Sequence, residues 1–133
     1  MPHIKRIHHL AIAVRDMGTG LEFWQQALGL ELSERRQVPM EGAEIAFFRL
    51  EGGEIELVRP TEPDSGLQRF LEKRGPGIHH VCLEVEGLDA LLEQLKARGV
   101  RLINETPRLG ENGRRYAFIH PESTGGVLVE LYE

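Results

Sequence analysis

At 133 residues the chain holds one globular domain's worth of sequence, enough to bury a core. A formal net charge of −5 without a basic cluster speaks against a nucleic-acid surface, and one cysteine, Cys82, excludes an intrachain disulfide framework and suits a reducing compartment. No apolar signal core follows Met1-Pro2-His3-Ile4-Lys5-Arg6 and no run reaches membrane-spanning length, so a cytoplasmic protein with no membrane partner is expected.

In chain order, an apolar strand over Ile7 to Val14 leads into a helix that starts near Arg15-Asp16, carries Leu21, Trp24 and Leu28 at helical spacing and stops at Gly29. Leu30-Glu31-Leu32 alternates as a strand does, and Gln37 to Gly42 reads as a turn. Two strands, Glu44 to Leu50 and Glu54 to Val58, flank the tight turn Glu51-Gly52-Gly53. Arg59 to Gly77 is a connector, with one short helix through Leu67, Phe70 and Leu71. A second strand-then-helix follows, with Leu88, Leu91, Leu92 and Leu95 at i, i+3, i+4 and i+7 before Gly99. Strands over Val100 to Ile103, Tyr116 to Ile119 and Val127 to Tyr132 complete the chain, with a loop from Pro107 to Arg115.

The order repeats. Ile7-His8-His9-Leu10 returns 71 residues later as Ile78-His79-His80-Val81, and Ala46-Phe47 returns at the same offset as Ala117-Phe118. Ile55-Glu56-Leu57 then matches Val129-Glu130-Leu131 after a longer hairpin. The expected fold is therefore α+β, a single domain over residues 1–133 of two paired β-α-β-β-β modules (about 4–58 and 78–133, with connector 59–77) forming a curved mixed sheet. Alternation puts His8, Leu10, Ile12 and Val14 on a bulky packing face and His9, Ala11 and Ala13 on a small one, leaving open space beside His9. The same reasoning directs His80 with Cys82 and Glu84, and turns Glu56 and Glu130 away from their packing neighbours.

Each module thus offers one histidine and one glutamate to a concave side. A lone strand histidine is ordinarily a satisfied core or edge residue, and glutamates such as Glu54 and Glu133 are read as solvated. Recurrence separates His9, Glu56, His80 and Glu130 from that background, while His3 and His120 lack its support. Two imidazoles and two carboxylates suit a divalent metal ion, with Co, Ni, Zn, Mn and Fe all admissible. A six-coordinate ion would keep about two positions for a bidentate substrate.

With these residues in hand, the chain resembles the vicinal oxygen chelate (glyoxalase/bleomycin resistance/dioxygenase) superfamily over essentially its whole length, and within it the methylmalonyl-CoA epimerases. The stretches that carry this are His8 to Val14, Phe70 to Gly75, Gly77 to Val81, His120-Pro121 and Gly125 to Leu131. The resemblance implies His9, Glu56, His80 and Glu130 as metal ligands, cobalt as the metal, an acyl-CoA substrate and a homodimer. It implies 1,1-proton transfer at C2 of methylmalonyl-CoA through a metal-stabilised enolate, with Glu130 both ligand and acid/base. In several epimerases a second glutamate stands three residues after the glycine that here is Gly42; this chain has Ile45 there, beside Glu44. A regular strand would turn Glu44 away from that face, and only a bulge would bring it back.

Two other readings share the fold. A lactoylglutathione lyase of the glyoxalase I type uses the same ligand set; the His79-His80 pair and the Phe70 to Gly77 connector favour the epimerase. A non-catalytic ligand-sequestering protein generally lacks the four ligands. An extradiol dioxygenase fits less well, since its iron takes three. Arg108, Arg114 and Arg115 are candidates to approach CoA phosphates, or are solvated loop arginines.

Overall fold

The computed structural model describes residues 1–133. Its elements are β1 (His3–Ala13), α1 (Met17–Leu21) running into π-helical turns at Glu22–Ala27, β2 (Glu34–Val38), β3 (Ala43–Leu50), β4 (Gly53–Pro60), α2 (Gly66–Arg74), β5 (Gly77–Glu86), α3 (Leu88–Ala97), β6 (Arg108–Leu109), β7 (Arg115–Ile119) and β8 (Val129–Tyr132). The order β-α-β-β-β occurs twice, as β1-α1-β2-β3-β4 and as β5-α3-β6-β7-β8. The chain forms two compact units, Leu10–His79 and the combination of Met1–His9 with His80–Glu133.

In the unit Leu10–His79 the strands lie in the order β2-β3-β4-β1. One sheet face buries Ala46, Phe48 and Leu57 under Met17 and Leu21 of α1, with Ile12 and Trp24 packed against them. Asp16 begins α1 by accepting from the Thr19 amide at 3.0 Å and its hydroxyl at 2.8 Å. Gly20 lets the helix settle close: a Cβ there would stand 3.1 Å from Leu57 and 3.2 Å from Val14. The opposite face packs Ala11, Ala13, Ile45, Phe47 and Val58 against Leu71, with Leu67 and Phe70 of α2 alongside. Ala11 and Ala13 are therefore filled over, not set beside open space, because their small side chains let a helix approach the strand.

Two expectations shift here. Leu30 and Leu32 are not strand; they pack partly buried against the α1-side core, and their spacing imitates alternation. The strand comes later, as β2, whose charged residues sit at the end of the strand order, where edges are tolerated when charged. The turn is Pro39–Glu41, closed by Gly42 at φ 61°, a left-handed conformation open to glycine.

In the other unit the order is β1-β5-β8-β7-β6, with β5 parallel to β8 and β7 antiparallel to it. Leu88 and Leu92 of α3 bury against Val85, Ala117, Ile119 and Leu131. Helix α3 starts from Gly87, which has no side chain to cap it. Glu133, expected on a solvated face, does that work: its carboxylate accepts from the amides of Gly87 at 2.8 Å and Leu88 at 3.4 Å. Val100 to Ile103 makes only the single bridge Leu102–Ile119, and the strand beside β7 is instead β6. The last strand begins at Val129, two residues later than expected.

Candidate metal centre

Three side chains meet within the unit of Met1–His9 and His80–Glu133. His9 Nε2 lies 3.4 Å and His80 Nε2 3.1 Å from Glu130 Oε1, and the two nitrogens are 3.3 Å apart. Strand pairing puts them there: Glu130 on β8 stands opposite Cys82 of β5 and opposite Phe118 of β7, so it shares the face turned away from α3. His80 packs edge-on against Phe118, with centroids 5.4 Å apart, which limits how its ring can turn. Donor atoms about 2.0–2.2 Å from one ion stand ~2.8–3.6 Å from each other in octahedral or tetrahedral arrangements. The observed separations match, and two imidazoles with one carboxylate suit a divalent first-row ion.

Glu56 belongs to the other unit, where it is buried on β4 opposite Phe47 of β3. Its neighbours Ile55 and Leu57 pack on the α1 side, so Glu56 is on the opposite face, with Phe47 and Val58. The repeat holds at the level of strand register: Glu56 faces Phe47 as Glu130 faces Phe118.

Alternation assigns His8 to the packed side, yet its Nδ1 lies 2.8 Å from His9 Nδ1, and its ring packs on Tyr132 at 4.7 Å. Alternation gives Cβ directions; Nδ1 sits close to the strand's own backbone, so neighbouring rings can still meet through it. His8, His9 and Cys82 also bring potential ligand atoms within 4.8 Å of one another. His79 packs edge-on against Phe70 of α2, with centroids 4.8 Å apart. Arg114 lies over the Tyr132 ring at 4.3 Å and donates to the Glu133 carbonyl, while Arg115 pairs with Asp89. His3 pairs with Glu86, and His120 accepts from the Glu122 amide.

The β3–β4 ladder pairs residue for residue from Ala43 to Leu50, so no bulge redirects Glu44. Glu44 shares the α1-side face with Ala46 and Phe48, and two arginines hold its buried carboxylate. Arg35 Nη2 reaches Oε2 at 2.8 Å and Arg59 Nη2 reaches Oε1 at 3.1 Å. Ile45, on the opposite face, is core. Glu44→Gln should accordingly leave catalytic turnover within about twofold while lowering stability by about 1–2 kcal/mol, since both guanidinium groups remain partly solvated. Steady-state kinetics beside urea unfolding check this, and a large loss of turnover with an intact fold would show Glu44 to be part of the chemistry.

Burial alone would raise the Glu130 carboxyl, but hydrogen bonds from His80 and His9, with their charges, outweigh it and bring its pKa from 4.5 to about 2. The unfolded chain takes up a proton near pH 4.5 that the folded chain refuses until about pH 2. This contribution is therefore full above pH 4.5 and is lost as pH falls toward 2. Between pH 6 and pH 3 the metal-free protein should lose roughly 2 kcal/mol more unfolding free energy than Glu130→Gln does. Parallel losses in urea titrations at the two pH values would count against it.

Comparison with known proteins places the chain in a family. Residues 8–118 match the model of the Glyoxalase/Bleomycin resistance protein/Dioxygenase superfamily. The mitochondrial methylmalonyl-CoA epimerase of Homo sapiens is 36% identical over 130 residues, 97% of this chain and 74% of that protein. Among solved structures, the methylmalonyl-CoA epimerase of Mycobacterium tuberculosis superposes with a TM-score of 0.87 at 37% identity, covering 98% of this chain and 88% of that one. A methylmalonyl-CoA epimerase in complex with methylmalonyl-CoA and NH4+ gives a TM-score of 0.89 at 30% identity, covering 98% and 94%. With its twice-repeated β-α-β-β-β order, the chain has the vicinal oxygen chelate fold, and it belongs to the Glyoxalase/Bleomycin resistance protein/Dioxygenase superfamily and, within it, to the methylmalonyl-CoA epimerases.

Proposed function

We propose that this enzyme interconverts the C2 epimers of methylmalonyl-CoA, with His9, His80, Glu130 and Glu56 holding a divalent metal ion and Glu130 moving the proton. The observation that carries it is the meeting of His9 Nε2, His80 Nε2 and Glu130 Oε1 in a chain with epimerase relatives across its length. Glu56 joins the set as the repeat counterpart of Glu130. When bound, such an ion supplies positive charge and Lewis acidity next to the carbonyl whose α-proton is removed.

In the metal-free protein the two imidazoles keep Glu130 ionised; a bound divalent cation would favour the same state, the one that a proton acceptor requires. Both histidine contacts fall on Oε1, so Oε2 is the oxygen assigned to the proton. Loss of the C2 proton leaves a planar enolate, and return of a proton to the other face inverts the centre. Two groups are set aside as the second proton carrier: Glu44 is held by Arg35 and Arg59, and Ile45 has no proton to give. Cobalt as the metal, a homodimer and a cytoplasmic location complete the reading, on family resemblance.

In deuterium oxide with Co(II) present, the protein should exchange the C2 proton of methylmalonyl-CoA, read by mass spectrometry of the thioester. The methylglyoxal–glutathione adduct is the parallel substrate. Rapid conversion of that adduct without exchange on the CoA thioester would transfer the assignment to a lactoylglutathione lyase.

A further inference from the structure

The two ring nitrogens of His9 have different neighbours. Nε2 faces Glu130 Oε1 at 3.4 Å and His80 Nε2 at 3.3 Å, whereas Nδ1 lies 2.8 Å from His8 Nδ1. A neutral imidazole that offers the Nε2 lone pair to a cation carries its one ring proton on Nδ1. The His8 nitrogen stands where that proton points.

We propose that His8 is a positioning residue for the metal centre: its Nδ1 accepts the Nδ1–H of His9, fixing the tautomer and ring rotation in which His9 Nε2 meets the ion. The proposal rests on His9 being a metal ligand. It requires His8 to carry its own proton on Nε2. His8 is itself braced, since its ring packs on Tyr132 with centroids 4.7 Å apart and stands edge-on to His9 at 78°. Tyr132 lies on β8 two residues beyond Glu130, so the strand that supplies the carboxylate also supports the imidazole behind the first ligand. A metal-bound imidazole generally needs such a partner on its other nitrogen to hold it in place.

Two substitutions separate positioning from packing. His8→Phe keeps a ring against Tyr132 but offers no acceptor, whereas His8→Asn loses the ring and offers a side-chain oxygen that can accept the same proton. Co(II) and Zn(II) affinities, from competition with a chromophoric chelator, should fall about 10- to 100-fold in His8→Phe and recover most of that loss in His8→Asn. In the 15N-labelled, Zn(II)-loaded protein, ring-nitrogen NMR should show a slowly exchanging His9 Nδ1–H that disappears in His8→Phe. Unchanged affinity and an unchanged Nδ1–H signal in His8→Phe would overturn the positioning role while leaving the metal centre intact. If the parent protein binds neither ion, or His9→Ala binds as tightly as the parent, the metal centre falls and this role with it.

Discussion

His80→Ala is expected to strip the protein of bound divalent metal, whereas His79→Ala keeps it. The two histidines are adjacent on β5 but do different things: His80 Nε2 is 3.1 Å from Glu130 Oε1, while the His79 ring packs against Phe70. Losing His80 removes one of the two imidazoles from the proposed set of four ligands, and affinity should fall by on the order of 10²-fold or more, beyond what outer-shell changes produce. His79→Ala removes an aromatic contact that anchors α2, which costs about 1 kcal/mol of stability and no ligand. Metal content after reconstitution and dialysis, measured by mass spectrometry on both variants, decides the matter. Equal losses in the two would remove the physical basis for distinguishing the neighbours.

What made the centre legible was the coincidence of two patterns, the alternation within a strand and the repeat between modules. Either alone is weak, because a histidine or glutamate on a strand face is common. Together they picked out His9, His80 and Glu130, which meet, and Glu56, whose register against Phe47 mirrors that of Glu130 against Phe118. The residues that escaped act through distant or sideways partners. Glu133 caps α3 from 46 positions away, and nothing in the local pattern separates it from a solvated glutamate. His8 touches its own neighbour through Nδ1, an atom that alternation does not track. The small face of Ala11 and Ala13 suggests open space beside His9, but small residues on a sheet face equally permit close approach of a helix, and α2 takes that option. Among the strands the two misplaced ones, β2 and β6, end their strand orders, where one side goes unpaired and the hydrophobic pattern is weakest.

Glu130→Gln should separate holding the ion from moving the proton. An amide oxygen can still coordinate, so the variant is expected to keep Co(II) within about tenfold of the parent affinity. It cannot take up a proton as a carboxylate does, and loss of a positioned general base typically costs 10²–10⁴-fold; turnover should therefore fall by on the order of 10²-fold or more. The comparison is clean because the carboxylate's charge state is fixed: the two imidazoles on Oε1 hold it ionised in the metal-free protein, and a bound divalent cation would favour the same ionised form. Measuring exchange separately from each C2 epimer sharpens the test. If Glu130 serves one face of the substrate, exchange from one epimer collapses while exchange from the other survives through whatever group serves the opposite face. If it serves both, exchange from the two epimers falls together. Turnover that declines only in proportion to metal occupancy would leave Glu130 a ligand and nothing more, and the proton carrier would have to be sought elsewhere in the chain, with Glu44 already accounted for by Arg35 and Arg59.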